Sequence, residues 1–279
     1  MLHVKVPQPK AVSMPPADAN QPGAPAVLDV RDVRKGFGEI SVIGGLSLAA
    51  RPGEFLSVVG PSGCGKTTLL MALAGLLPID AGQVVFEGTP VSEPPAGLSV
   101  VFQDYSRSLM PWLRNIDNVL FGMRRVTGMT KAEKRAAAMQ ALADVGLRNF
   151  EDHYPWQVSG GMQQRVAIAR ALGSQSKLLL LDEPLAAVDA QTRGEIQDLL
   201  LDLAIRYQRT CLLVTHDVDE AVYMADRIIV LSQRPTHVVR EIAVGLPRPR
   251  DQIGTRSDAE YLRIRAEVLG MIRAMPKPM

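Results

Sequence analysis

The sequence has 279 residues, 47% of them hydrophobic, and a formal net charge of +2. That is enough apolar material for one large α/β core or a core with a subdomain, and it excludes a chain disordered throughout. The charge is too balanced for a nucleic-acid surface, whose domains tend to be clearly basic, so no nucleic-acid partner is expected.

No stretch approaches the roughly 18 uninterrupted apolar residues of a membrane-spanning helix. The first residues, Met1 to Pro7, hold no apolar signal-peptide core, so a cytoplasmic protein is expected. Two cysteines, Cys64 and Cys211, suggest no disulfide framework. Residues 1–25 contain six prolines and read as a flexible or extended leader outside the fold.

From Ala26 to Val30 and from Ile40 to Ala49 the apolar spacing is strand-like, with glycines marking turns. Phe37 lies between these strands, where its ring either faces a flat ligand or fills a hairpin core. Next comes the apolar run Phe55 to Val59, followed by Gly60, Pro61, Ser62, Gly63, Cys64, Gly65, Lys66, Thr67 and Thr68. This is the G-x-x-x-x-G-K-[ST] spacing of a phosphate-binding loop. Glycines let successive N–H groups point inward, and the helix opening near Gly65 adds a partial positive charge. Lys66 would neutralise β- and γ-phosphates, Thr67 would bind Mg²⁺ through its hydroxyl, and Thr68 begins the helix wall. Cys64 reads as a small residue fitting a tight turn, although a thiol near helix N-terminal dipoles can be reactive.

Gln83 to Gly88 reads as another strand with its turns, and Leu98 to Phe102 as a buried one. Gln103 follows, either a Mg²⁺ or water ligand or a satisfied strand-end amide. From Tyr105 to Gln157 the pattern turns helical, with a capping box at Thr130 to Glu133 and a stop at Gly146. An inserted helical subdomain is expected, with Leu109, Met110, Trp112, Leu113 and Phe121 either core, as for most of them, or docking surface. Ser159, an N-cap, followed by Gly160, Gly161, Met162 and Gln163, leaves first-turn N–H groups unshielded, a second anion site. Lys177 to Glu183 is a buried strand ending in two acids. Strand alternation would send Asp182 to Mg²⁺ and Glu183 to the attacking water. Asp189 closes the following segment ahead of an amphipathic helix. Thr210 to Thr215 is the next buried strand and ends at His216, just before a second capping-box pattern at Asp217 to Glu220. Ligands of α/β sheets bind at such strand ends, which favours a role for His216 at a γ-phosphate. Near the C-terminus, Tyr261, Ile264, Val268 and Ile272 share one helix face, and Arg248, Arg250, Arg256, Arg263 and Arg265 read as a solvated basic face.

In this order the motifs resemble those of the ATP-binding subunits of ABC transporters, over roughly residues 26–245. Gly60 to Thr68 is similar to the Walker A loop, Gln103 to the Q-loop glutamine, Ser159 to Gln163 to the ABC signature, Leu178 to Glu183 to Walker B, Asp189 to the D-loop aspartate and His216 to the switch histidine. Phe37 matches the adenine-stacking aromatic. Val158 and Val188 stand where leucine is usual in the signature and the D-loop, both conservative apolar changes. The resemblance implies an α/β P-loop NTPase core, RecA-like with a mixed sheet, plus an antiparallel β subdomain and an inserted α-helical subdomain at about 105–157. Residues 246–279 would form a C-terminal helical extension.

It further implies ATP and Mg²⁺ as ligands. A head-to-tail homodimer or pseudo-dimer would close each nucleotide with Ser159, Gly160, Gly161, Gln163 and Asp189 of the opposite subunit. Transmembrane permease subunits and a solute-binding protein would be partners, placing the chain peripherally on the cytoplasmic face of the cell membrane. Around Leu109 to Leu113, Asp217 to Arg227 and Ser232 to Pro235 the sequence looks most like the nitrate, sulfonate, taurine and bicarbonate importer group. The permease would dock between the loop after Gln103 and the helical subdomain. A soluble ABC ATPase uncoupled from transport is the alternative, although the second cassette or coiled-coil insertion usual in such proteins does not appear. A P-loop small-molecule kinase would leave Ser159 to Gln163 unexplained.

Overall fold

The computed structural model describes residues 25–104, 108–186 and 188–275. The expected leader, apart from Ala26's immediate neighbour Pro25, lies outside them. Among the described residues, ten strands form two sheets. The smaller is antiparallel, in the order β2 (Ile40–Ala50), β1 (Leu28–Phe37), β4 (Ala81–Phe86), β5 (Thr89–Pro90). The larger runs β10 (Val238–Ala243), β9 (Arg227–Leu231), β3 (Phe55–Val59), β8 (Thr210–Thr215), β7 (Leu178–Asp182), β6 (Leu98–Val101). All its pairs are parallel except β10–β9.

The central strands β3, β7 and β8 are buried along their whole length. This is why they read as continuous apolar runs, since both faces of a parallel sheet are covered. One face, with Leu56, Val58, Leu180, Leu212 and Val214, packs against α1 (Lys66–Leu73) and the antiparallel sheet. The opposite face, with Phe55, Val59, Leu179, Leu181 and Leu213, packs against the remaining helices. The strand expected as buried at Leu98 to Phe102 is instead the sheet's edge: only Val101 is fully buried, because β6 has a neighbour on one side only.

The helical layer comprises α2 (Asn115–Gly122), α3 (Lys131–Asp144) and α4 (Gly160–Gly173). Thr130 and Glu133 close the expected capping box, and Gly146 turns the chain with φ of 78°. Leu109 is buried, whereas Trp112 is exposed. Helices α2 and α4 cross closely: a Cβ on Gly122 would lie 2.6 Å from Arg170 O, and one on Gly173 2.9 Å from Val119 Cγ1.

Helices α5 (Ala190–Arg206) and α6 (Val218–Met224) follow β7 and β8, and α7 (Gly254–Ser257) and α8 (Ala259–Ala274) end the described chain. Tyr261, Ile264 and Val268 are buried as their spacing predicts. The basic residues nearby are not a uniformly solvated face. The Arg250 side chain is 1% exposed and donates to Tyr223 O at 2.7 Å, and burial lowers its pKa to about 10. Arg256 lies over the Tyr223 ring at 4.8 Å, and Arg265 pairs with Asp219 at 2.6 Å. A charge pattern in sequence does not reveal an acid or ring brought by another element. Among the described residues no helix is long and apolar enough to cross a membrane.

Candidate functional site

Parallel registry brings the chemistry together. Val59 pairs with Thr215, and Val214 with Asp182, so β3, β8 and β7 end side by side and release their chains at one edge. From β3 emerges residues 60–65, which turn with positive φ at Gly63 (75°) and Gly65 (113°). Gly65 also admits β2, because a Cβ there would lie 2.7 Å from Val42 Cγ1. Lys66 opens α1, with Nζ donating to Gly60 O and Pro61 O at 3.0 Å each. An ammonium has three protons, so one remains for a ligand. Cys64 is fully buried, and burial raises its thiol pKa against the pull of Lys66. It therefore packs the turn, and the reactive-thiol alternative loses its basis.

Asp182 ends β7 and is 3% exposed. Thr67 Oγ1 donates to its Oδ1 at 3.3 Å. Burial, reinforced by the Glu183 charge, holds its pKa above the ordinary value, while Thr67 and Lys66 oppose that shift. Strand alternation does not set the direction of Glu183, because β7 stops at Asp182. Glu183 has φ of 42°, a left-handed backbone that is strained for a residue with a Cβ. Its N–H still donates to Val214 O at 2.8 Å, and its Oε2 lies 3.0 Å from His216 Nδ1. The structure thus joins Lys66, Thr67, Asp182, Glu183 and His216 at one edge.

Gln103 leaves the same edge one strand over, since Val101 of β6 pairs with Leu181 of β7, while the remaining expected residues sit on β1 and at the starts of α4 and α5. Gln103 is exposed in the bend after β6. Phe37 is 50% exposed, which removes the hairpin-core alternative, and Lys35 Nζ lies 5.4 Å from its ring centroid. Ser159 caps α4, its Oγ accepting from Met162 N at 3.3 Å, and its hydroxyl proton remains free to donate outward. Ser159, Gly160, Gly161 and Met162 share a surface depression of about 420 Å³ with Asp189 and Thr192. Gln163 does not line it. Its Nε2 donates back to Val158 O at 3.3 Å, and the helical turn gives Met162 the outward position. Asp189 caps α5 by accepting from Thr192 N at 3.0 Å, which lowers its pKa.

Three supporting groups were invisible in the sequence. Thr236, after β9, donates its hydroxyl to Cys64 O, and its backbone pairs with Val42 and Gly44, clamping the phosphate loop to β2. The second capping box does not close: Asp217 accepts from Asp219 N and Glu220 N, but Glu220 Oε2 accepts instead from Thr215 Oγ1 at 2.8 Å. Burial pushes the Glu220 pKa up to about 7 despite that bond. Arg193 of α5 stands 3.8 Å from Asp217 Oδ2 and 4.0 Å from Glu220 Oε1.

Known proteins are similar to this chain in sequence and in fold. A family model described as ABC transporter matches residues 43–186, just over half of the chain. An uncharacterized ABC transporter ATP-binding protein of Methanocaldococcus jannaschii is 44% identical over 234 residues, covering 84% of this chain and 85% of its own. The taurine import ATP-binding protein TauB of Chromobacterium violaceum is 42% identical over 238 residues, covering 84% and 90%. Among solved structures, the ATP-binding cassette MJ0796, a dimer in a post-hydrolysis state bound to ADP and Pi, superposes with a TM-score of 0.68 at 32% identity, covering 78% of this chain and 98% of its own. With the phosphate loop, the strand-end acids and the histidine assembled on a mixed sheet of this kind, the chain belongs to the ABC transporter family, as an ATP-binding subunit.

Proposed function

We propose that this ATPase powers the import of a small solute, an anion such as nitrate, sulfonate, taurine or bicarbonate, through separate permease subunits fed by a solute-binding protein. It works as a homodimer or pseudo-dimer at the cytoplasmic face of the cell membrane. The observation carrying the catalytic reading is the edge where Lys66, the Thr67–Asp182 pair and the Glu183–His216 pair converge. Import is supported by the likeness to TauB, named for taurine import, and dimerisation by the likeness to the MJ0796 dimer.

The residues fit a Mg²⁺. A buried carboxylate whose pKa is raised by desolvation sits beside a hydroxyl, and a nearby cation would relieve the cost of its charge. Among the described residues no three His, Cys, Asp or Glu side chains are grouped so as to hold a metal ion by themselves. So sparse a donor set suits an ion shared with substrate phosphates and water. Thr67 and Asp182 would hold it, with Gln103 as a further ligand, and its charge would offset that of the β- and γ-phosphates.

N–H groups of the loop beyond Pro61 and the third Lys66 proton would bind the phosphates, while Phe37 offers its exposed ring to adenine. Glu183 would polarise the attacking water, with His216 Nδ1 steadying that carboxylate and Nε2 left to contact the γ-phosphate. Ser159, Gly160, Gly161 and Asp189 close the nucleotide of the opposite subunit. Exposed Trp112 belongs to the permease-facing surface.

Glu183→Gln keeps the side-chain shape and removes the base. It is expected to bind ATP, accumulate as a dimer on size-exclusion chromatography and lose about 10²-fold or more in kcat. Normal turnover would overturn the role of Glu183. Co-purification of a multi-spanning protein from membranes supports the importer reading, and its absence under mild detergent favours an ATPase uncoupled from transport.

A further inference from the structure

His216 is flanked by residues that are tied to each other. Thr215 Oγ1 accepts from Asp217 N at 3.0 Å and donates to Glu220 Oε2 at 2.8 Å, closing a ring across the histidine backbone. The anchor of that ring, Glu220, is 4% exposed. Arg193 approaches it from α5. Its backbone N–H donates to Asp189 O at 2.9 Å and its Nη2 to Val188 O at 3.4 Å. Its Nε is buried with no hydrogen-bond partner, 4.0 Å from Glu220 Oε1. At that separation the pair attracts without bonding, and an approach of about 1 Å would complete a hydrogen bond. The same guanidinium therefore holds the segment carrying Asp189 and faces the anchor of the His216 turn.

We propose that Arg193 and Glu220 are positioning residues that couple the Asp189 segment, beside the Ser159 depression, to the placement of His216 against Glu183. A shift of the depression when the opposite subunit closes on it would move the start of α5, and Arg193 would pass that shift to the turn. The charged groups facing Glu220 are Asp217, Arg193 and His216. Asp219, next in the chain, is engaged by Arg265 and Tyr261 of α8. The inference rests on the role proposed above for His216.

The test is steady-state ATP hydrolysis by the full chain carrying Arg193→Ala, Arg193→Lys, Glu220→Gln or His216→Ala, and by the double variants that include His216→Ala. Arg193→Ala is expected to lower kcat about tenfold while the KM for ATP stays within about twofold, with partial recovery in Arg193→Lys. On the His216→Ala background the further loss should vanish, because the arginine acts through the histidine. Glu220→Gln keeps an acceptor for Thr215 and should flatten the dependence of kcat on pH between about 6 and 8. Additive losses in the double variants overturn the proposal alone, as do equal losses in kcat and nucleotide affinity with a lowered Tm. Unchanged kcat in His216→Ala overturns the reading of His216 itself, and this inference with it.

Discussion

Replacing Glu220 by glutamine should make the protein more stable in mildly alkaline solution. The Glu220 carboxyl is 4% exposed, and burial raises its pKa from 4.5 to about 7. The folded chain therefore holds a proton that the unfolded chain releases, and stability falls as pH rises from about 4.5 to 7, then levels off. At 1.36 kcal/mol per pH unit, ionised Glu220 costs about 3 kcal/mol by pH 8. Glutamine carries no such cost and still offers Thr215 an acceptor. The variant and the parent should unfold alike near pH 4.5. At pH 8 glutamine should be more stable by up to about 3 kcal/mol, a Tm difference of about 6 °C at the usual scaling for a chain of this size. Thermal and urea melts at half-unit pH steps would show the gap opening. A gap independent of pH, or one widening towards acid, would refute the argument, because it would mean that the fold does not raise the Glu220 pKa.

Thr236→Val removes the hydroxyl that holds Cys64 O while keeping the side-chain shape. It should cost about 1 kcal/mol of loop order, read as about a fivefold rise in the Kd for ATP in a fluorescent-nucleotide titration. Cys64 and Cys211 are both buried, and burial raises both thiol pKa values, that of Cys211 to about 12. Neither should react with a thiol reagent at pH 7.5 in the folded chain, and both should react in guanidinium; rapid labelling of the native protein would contradict the packing of the phosphate loop.

The parts of the site legible in the sequence are those defined over a few residues. A loop of fixed spacing between an apolar strand and a helix needs no distant partner to be recognised, and neither does a strand that ends in acids or a histidine. Their meeting at one edge depends on parallel pairing of β3, β8 and β7, which the run of buried strands implies. What stayed hidden depends on contacts between distant segments or on backbone conformation. The left-handed turn at Glu183 replaces simple alternation, since the strand ends one residue earlier. The outward position of Met162, with Gln163 turned back on Val158, follows from helix phase. Glu220 leaves the capping box because Thr215, on the preceding strand, offers a buried hydroxyl. Arg250, Arg256 and Arg265 look like surface charge until Tyr223 and Asp219 are brought against them.

The larger sheet acts as a partition. The buried residues of α1 belong to the apolar interior on one side, and those of α2, α3 and α4 to the interior on the other. Strands β3, β7 and β8 carry residues of both interiors, and the short segments Asp182–Glu183 and Thr215–Asp217 leave them at the rim of this wall. Those segments carry the reacting groups, so the chemistry sits at the rim where the two interiors are joined through the sheet.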